Sequence, residues 1–354
     1  MEKRQQPLEG RAVSMEMRGA KVVVTGGAGF VGSELVRQLI AGGAQVCVLD
    51  NLSNGKKANL QDLTKHGLEF VEGDVRDDAV LRRTLRNCRV LFHLACLGVR
   101  HSIGRPLENH AVNATGTLHV LEAAREAQVE RMVHVSTSEV YGNAQSAPMA
   151  EDHPTRPTTA YGASKLAGEA YAQAFHHSFG LPVVVLRPFN SYGPRSHAAG
   201  SAGEVIPRFL QWLQRGEDLP VFGDGLQTRD FTFVGDTARG ILQAGFQAAV
   251  EGFTFNLGSG REVSLLGLGG MLAEILGVNA PQFRHLPERP GDMRRLVADS
   301  SLAEKHLKWK PSVPLEDGLR ATVEWFLAHP DHELMAPDEP AQNWQVFASA
   351  QNGS

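Results

Sequence analysis

The sequence predicts an α/β protein with a doubly wound parallel sheet and a smaller, interleaved C-terminal domain. Two observations predict the sheet. A short β-branched strand runs directly into a glycine-rich turn and a helix, and strand-like and helix-like stretches then alternate through the first half of the chain. From Pro188 onward, loops separate the helical stretches and this alternation ends, which predicts the second domain.

The first strand, turn and helix have the pattern of a dinucleotide-binding unit. Residues 21–24 are a short β-branched run, and Leu35, Val36, Leu39 and Ile40 recur at helical spacing before a Gly-Gly stop. In the turn, Gly26 allows a sharp reversal, Gly29 allows the backbone to approach a pyrophosphate, and Gly32 allows the helix to pack on the strand. The helix N-terminus then faces the phosphates with its positive dipole end. The expected sheet is therefore of the Rossmann type.

A carboxylate at the end of the second strand indicates which dinucleotide binds. The strand covers residues 45–49, and Asp50 follows Gly32 by eighteen residues. A carboxylate there can accept hydrogen bonds from both hydroxyls of an adenine ribose and would repel a 2′-phosphate. Asp50 therefore favours NAD over NADP.

The remaining chain follows the same alternation and then departs from it. Further strands are expected at 68–71, 90–94, 132–135 and 182–186, with a helix at 116–128. Later helices are expected at 206–215, 236–248, 265–276 and 315–327, and a late strand at 253–257. The expected division is a polar N-terminal extension at 1–19, an NAD-binding domain at 20–187, a substrate domain at 188–330 and a polar tail at 331–354. Residues 253–258 should return to the main sheet, residues before Met17 could be a leader or an added extension, and the tail should be loose.

Composition excludes several classes of function. The chain has 354 residues, of which 42% are hydrophobic and 21% charged, and its net charge is −4, so no broad basic field indicates a nucleic-acid partner. No apolar run approaches the ~20 residues that span a membrane, and the N-terminus has no secretory pattern. Cys47, Cys88 and Cys96 lack metal-ligand spacing and are expected to be reduced thiols. These features predict a cytoplasmic protein without a metal site.

A tyrosine and a lysine four residues apart are candidate catalytic groups. Tyr161 and Lys165 would lie on one face of a helix. A lysine cation lowers the pKa of a nearby phenol, which could then take a proton from an alcohol as hydride leaves. The lysine could also hold a nicotinamide ribose. On its own, this spacing more often marks a solvated helix face.

A second group of polar residues follows the strand that ends at Val135. The carboxyl end of a parallel strand is where such sheets bind ligands. Thr137 could form a hydrogen bond with the alcohol that Tyr161 deprotonates, and Glu139 could remove the acidic proton next to a newly formed ketone. The alternative for Glu139 is an acid in a surface turn.

These motifs together resemble the extended short-chain dehydrogenase/reductase family, and within it the nucleotide-sugar epimerases, dehydratases and decarboxylases. The motifs that carry the resemblance are residues 25–32, 50–53, 73–75, 136–142, 161–165 and 187–190. The resemblance extends from about Ala20 to Trp325. It implies a bound NAD, a nucleotide-diphosphate sugar as the substrate of the second domain, and a homodimer.

The resemblance also assigns residues to roles. Implied catalytic residues are Tyr161, Lys165, Thr137, Ser138 and Glu139. Implied cofactor-binding residues are Gly26, Gly29, Phe30, Val31, Gly32, Asp50, Asn51, Ser53, Asp74, Val75, Leu94, Ala95, Tyr161 and Lys165. Implied substrate-binding residues are Asn190, Arg229, Arg289 and Leu296. Two arginines at a diphosphate also fit the strength of charge-assisted hydrogen bonds, although surface salt bridging is the alternative.

Members of this group are expected to oxidise the sugar at C4 and to differ in the next step. Glu139 favours a 4,6-dehydratase, with a 4-epimerase as the second possibility and a decarboxylase as the third. Leu296 lies near the place where decarboxylases carry a functional arginine, although Arg294 and Arg295 could compensate in part. Many other 4,6-dehydratases carry aspartate where this chain has Ser138, so the general acid stays open. A non-catalytic NAD-sensing module is the alternative from a different class, and the complete proton-transfer set disfavours it.

Overall fold

A computed structural model describes residues 15–336 and 339–343. The first 14 residues of the expected N-terminal extension, and residues 337–338 and 344–354 of the expected tail, lie outside the described residues. The strands are β1 (Lys21–Thr25), β2 (Gln45–Asp50), β3 (Glu69–Glu72), β4 (Val90–His93), β5 (Arg131–Val135), β6 (Val183–Pro188), β7 (Asn190–Tyr192), β8 (Leu219–Phe222), β9 (Thr228–Phe233), β10 (Thr254–Leu257), β11 (Glu262–Ser264) and β12 (Phe283–Leu286). The α-helices are α1 (Phe30–Ala41), α2 (Asp78–Thr84), α3 (Val99–Gly104), α4 (Pro106–His110), α5 (Gly116–Glu126), α6 (Ala160–Phe179), α7 (Val205–Gln214), α8 (Val234–Phe246), α9 (Leu265–Leu276), α10 (Ser301–Leu307) and α11 (Leu315–Ala328).

The central sheet has seven parallel strands in the order β3-β2-β1-β4-β5-β6-β10. This doubly wound order reverses between β1 and β4, and ligands bind such sheets at the carboxyl ends of the strands near the reversal. The predicted fold class is therefore confirmed. The seventh strand, β10, comes from the C-terminal half of the chain and pairs with β6.

Two hydrophobic layers cover the two faces of this sheet. Val22 and Val24 of β1 face one layer, in which α1 and α8 pack, whereas Val23 faces the other, in which α5 and α6 pack. Neighbouring side chains of a strand point to opposite faces, so a strand covered on both faces needs a continuous apolar run. All three valines are fully buried, which explains why β1 was recognisable from sequence.

A smaller C-terminal region stands beside the carboxyl ends of the main strands. It contains a three-stranded sheet, β11-β9-β7, and a two-stranded sheet, β12-β8. Its core lies among α7, α9 and α11, with Phe209, Leu272 and Leu319 nearly or fully buried. In the described parts of the chain, no helix is both long and apolar enough to cross a membrane.

The segment after α11 differs from the expected loose tail. Met335 is 3% exposed and packs into the C-terminal core. Its backbone N–H also donates a hydrogen bond of 2.9 Å to Gln211 on α7. The described residues 331–336 and 339–343 are thus held by individual tertiary contacts, which leave no periodic pattern in the sequence.

Candidate active site

One cleft with a volume of about 470 Å³ lies at the carboxyl ends of the main strands. Its wall combines the glycine turn after β1, the ends of β2, β4 and β5, and side chains of the C-terminal region. Most of the residues singled out from the sequence line it. They are Gly26, Gly29, Phe30, Val31, Gly32, Asp50, Asn51, Ser53, Val75, Leu94, Ala95, Thr137, Ser138, Glu139, Tyr161, Asn190, Arg229, Arg289 and Leu296.

The glycine turn is shaped by close backbone contacts. Gly26 has a φ of +71°, and a Cβ atom there would lie 2.7 Å from the backbone nitrogen of Ala95. A Cβ atom on Gly32 would lie 2.1 Å from the carbonyl oxygen of Gly26. Only glycine fits both positions. Helix α1 begins beyond Gly29, which has no side chain to cap it, so its first amide groups are available to a phosphate.

Asp50 is held at the edge of this turn. Its carboxylate accepts hydrogen bonds from the backbone N–H groups of Ala28 (2.9 Å) and Leu52 (2.8 Å). Burial raises the pKa of Asp50, and the two hydrogen bonds oppose that rise. The cradle of backbone amides and the fixed carboxylate fit the pyrophosphate and the adenine ribose of NAD.

Asp74 differs from most of the residues assigned to the cofactor site. Its carboxylate pairs with Arg76 at 2.7 Å and accepts a hydrogen bond of 3.1 Å from Asn51. The hydrogen bond from Arg76 holds the pKa of Asp74 at about 2. Asp74 lies outside the cleft wall, so its contact with the cofactor site runs through Asn51.

We expect NAD to bind about 10²-fold more tightly than NADP, because a 2′-phosphate would lie against the Asp50 carboxylate. Calorimetric titration of the protein with each dinucleotide measures the difference. Asp50→Asn keeps the shape of the side chain and should narrow the gap. Tighter binding of NADP than of NAD would contradict this assignment.

Three polar side chains line the cleft next to the carboxyl end of β5. Thr137 begins a short 3₁₀ turn after β5, and its hydroxyl accepts a hydrogen bond of 3.2 Å from the Glu139 backbone. The third of these side chains, Tyr161, comes from α6. The Glu139 carboxylate accepts a hydrogen bond of 3.1 Å from Thr159, the N-cap of α6. The start of α6 therefore fixes Tyr161 and Glu139 relative to each other.

Lys165 lies behind the cleft wall and is 1% exposed. Its ammonium donates a hydrogen bond of 2.7 Å to the carbonyl oxygen of Val135, and burial lowers its pKa. We expected Lys165 to lower the pKa of Tyr161, but burial dominates and raises it, and Thr137 supplies the opposing hydrogen bond. The structure thus corrects the electrostatic argument, while Tyr161 keeps its place on the cleft wall.

Two arginines from the C-terminal region share one carboxylate. Arg229 and Arg289 lie 2.5 and 2.6 Å from the same oxygen of Asp292. Both line the cleft. A cationic pair held in this way fits the charge of a diphosphate.

The structure does not place the positive charges of Arg294 and Arg295 next to Leu296. Leu296 is 1% exposed and packs in an apolar cluster. Arg294 and Arg295 pair instead with the surface carboxylates of Asp224 and Glu262, both at 2.6 Å. The structure therefore does not support the expectation that these two arginines replace the functional arginine of the decarboxylases.

Sequence reasoning missed several residues of the cleft. Arg100 lies on α3, after β4, and lines the cleft without forming an ion pair with a described residue. Arg208 also lines the cleft, and it pairs with Glu339 at 2.6 Å. Glu204 also lines the cleft, and burial raises its pKa to about 7. The position of Arg100 beyond the carboxyl end of a parallel strand could have indicated a ligand-binding residue. Glu204 lies in a loop whose sequence has no periodicity or motif that would predict a site residue.

The fold and the cleft define a class of protein: a Rossmann-type, NAD-dependent enzyme. Residues 23–322 match the profile of the GDP-mannose 4,6 dehydratase family. The chain belongs to this family, within the extended short-chain dehydrogenases/reductases that act on nucleotide sugars, as its motifs predicted.

Individual relatives support the family and differ in activity. The chain is 39% identical over 312 residues to a UDP-glucose 4-epimerase of Mycolicibacterium smegmatis, which covers 86% of this chain and 98% of the relative. It is 36% identical over 321 residues to a dTDP-glucose 4,6-dehydratase of Actinoplanes sp., which covers 87% and 98%. The solved dTDP-glucose 4,6-dehydratase of Streptomyces venezuelae with NAD and TYD bound superposes with a TM-score of 0.83 at 37% identity, covering 88% of this chain and 98% of that one. NAD as the cofactor is thereby confirmed.

Proposed function

We propose that the protein is a nucleotide-sugar 4,6-dehydratase. The observation that carries this proposal is the Glu139 carboxylate, which lines the cleft beside Tyr161 and is fixed there by Thr159. A reaction limited to C4 needs one proton acceptor, whereas removal of the C5 proton needs a second. Glu139 supplies that second acceptor.

The steps of this reaction can be assigned to residues of the chain. Tyr161 takes the proton of the C4 hydroxyl, and the resulting ketone makes the C5 proton acidic. Glu139 takes that proton and passes it to the C6 hydroxyl, which leaves as water while the C5–C6 double bond forms. NAD held at the glycine turn and Asp50 would supply the hydride acceptor for C4 and the hydride donor for C6, and C5 would regain a proton from solvent. Arg229 and Arg289 hold the diphosphate, so that the sugar reaches toward Tyr161.

A nucleotide-sugar 4-epimerase is the second candidate, and Ser138 favours it. The Ser138 side chain is 4% exposed and carries a hydroxyl where many other 4,6-dehydratases carry an acid. An epimerase needs Tyr161, NAD and rotation of the keto-sugar, and relatives with that activity are 35–39% identical. A decarboxylase loses support, because Leu296 has no charge and Arg294 and Arg295 pair elsewhere. A homodimer and a cytoplasmic location remain predictions.

Incubation of the NAD-loaded protein with UDP-, dTDP-, GDP- and CDP-sugars, followed by mass spectrometry, tests the proposal. We expect one nucleotide sugar to lose one water. Loss of CO2 would indicate a decarboxylase, and an unchanged mass with an inverted C4 would indicate an epimerase. Absence of any turnover across the panel would favour the NAD-sensing alternative.

A further inference from the structure

The chain continues past the end of its family match and returns to the cleft. The matched region ends at residue 322, yet Ala341 and Asn343 line the cleft wall. We call residues 333–336 and 339–343 the C-terminal clasp. The clasp therefore lies beyond the matched region.

Glu333 is the centre of the clasp. Its side chain is 5% exposed, and its carboxylate accepts hydrogen bonds of 3.0 Å from His197 Nδ1 and from the backbone N–H of Ala198. It also pairs with Lys56 at 3.0 Å. Lys56 follows residues 53–55 of the cofactor end of the cleft, whereas His197 lies at the substrate end. The Glu333 carboxylate therefore contacts His197 in the wall at one end of the cleft and Lys56, next to the wall, at the other.

The rest of the clasp holds the substrate-side loop, residues 197–204. Glu339 accepts hydrogen bonds from the backbone N–H of Gly200 (3.0 Å) and from Arg208 (2.6 Å). The Asn343 amide donates to the carbonyl oxygens of Gly200 (2.9 Å) and Gly203 (3.2 Å). The loop has only one short 3₁₀ turn of its own and contributes His197, Gly203 and Glu204 to the cleft wall. Its shape thus depends on contacts from the clasp.

We propose that the C-terminal clasp positions the substrate-side wall of the cleft, and that Glu333 is the positioning residue through which it fixes the 197–204 loop for a nucleoside diphosphate. The inference rests on the proposed function in one respect: that the diphosphate of a nucleotide sugar occupies this end of the cleft. Glu333 lies outside the cleft wall and acts through His197 and Ala198.

The contact between Glu333 and His197 depends on pH. Burial alone would lower the pKa of His197, but the hydrogen bond and charge of Glu333 outweigh it and raise the pKa. Burial would likewise raise the pKa of Glu333, but His197 and Lys56 hold it at about 2. The other charged or titratable groups near this pair are Glu204 and His332. The ionic contact is complete below the ordinary pKa of histidine and is lost as the pH rises through the raised pKa of His197.

Calorimetric titration of the NAD-loaded full chain with UDP, dTDP, GDP and CDP tests the clasp. We expect Glu333→Gln to raise the Kd of the diphosphate that binds by about tenfold, since a charge-assisted hydrogen bond is lost. From about pH 6 to about pH 9, the Kd of the unmodified protein should rise, and the rise for Glu333→Gln should be smaller, because only the ionisation of Glu204, whose pKa is about 7, remains. Glu324→Gln, which alters an exposed acid on α11, is the matched control and should reproduce the unmodified protein in both respects.

Glu339→Gln is the second variant, because it removes a loop contact without touching His197. It should raise the Kd several-fold and keep the rise with pH. If thermal unfolding shows that Glu333→Gln does not fold, the Kd of Glu339→Gln tests the role of the clasp. If the folded variants bind the diphosphate as tightly as the unmodified protein does, the proposed role of the clasp is wrong. Failure of the unmodified protein to bind any of the four diphosphates would instead overturn the proposed function.

Discussion

Tyr161→Phe is expected to lower turnover by about 10³-fold or more while NAD stays bound. The hydroxyl that takes the C4 proton is lost, whereas the ring keeps its place on the cleft wall. Burial raises the pKa of Tyr161, so the phenol becomes a proton acceptor only through the charges and hydrogen bonds present in the loaded site. Initial rates with the active nucleotide sugar and calorimetric NAD binding measure the two effects.

Tyr171→Phe is the matched control for this experiment. Tyr171 lies on the same helix, α6, and is 41% exposed, so loss of its hydroxyl should leave the rate unchanged. A near-normal rate for Tyr161→Phe would show that another group takes the C4 proton.

Glu139→Gln is expected to block elimination by about 10²-fold or more and to leave oxidation at C4 intact. Glutamine keeps the size of the side chain and an oxygen that can accept the hydrogen bond from Thr159, but it does not take a proton. In deuterated water, the native enzyme should place deuterium at C5, and the variant should not. The absorbance of reduced cofactor should appear in the variant without a dehydrated product.

The same measurement separates the two candidate reactions. Inversion at C4 by the native enzyme, with no deuterium at C5, would disprove the dehydratase and support the epimerase. Glu324→Gln, an exposed acid on α11, should behave as the native enzyme.

The strands of the main sheet that are covered on both faces were predictable, and the short strands of the C-terminal region were not. The apolar runs of β1, β2 and β6 follow from burial in the seven-stranded sheet. In β12, Arg284 and His285 are exposed, and β8 contains Pro220. Strand β12 has neither an apolar run nor an alternation, and in β8 the proline argues against a strand. These strands depend on their partners in the C-terminal region.

Some residues of the candidate site could likewise be predicted from the sequence, and others could not. Tyr161 and Glu139 lie in local motifs next to predicted elements, so their meeting in one cleft could be anticipated. The contacts of Glu333 could not, because they join it to Lys56 and His197, which are far away in the sequence and follow no periodicity. The direction of the Tyr161 pKa shift was also missed, because it depends on burial by the assembled fold.

The pairing of β10 with β6 has a consequence for dissecting the protein. A fragment ending at residue 188 would leave β6, with its Val183–Leu186 run, as the outermost strand of the sheet. An exposed, apolar edge strand recruits strands from other molecules. The N-terminal half expressed alone should therefore aggregate, and β10 acts in the intact chain as the strand that prevents this self-association.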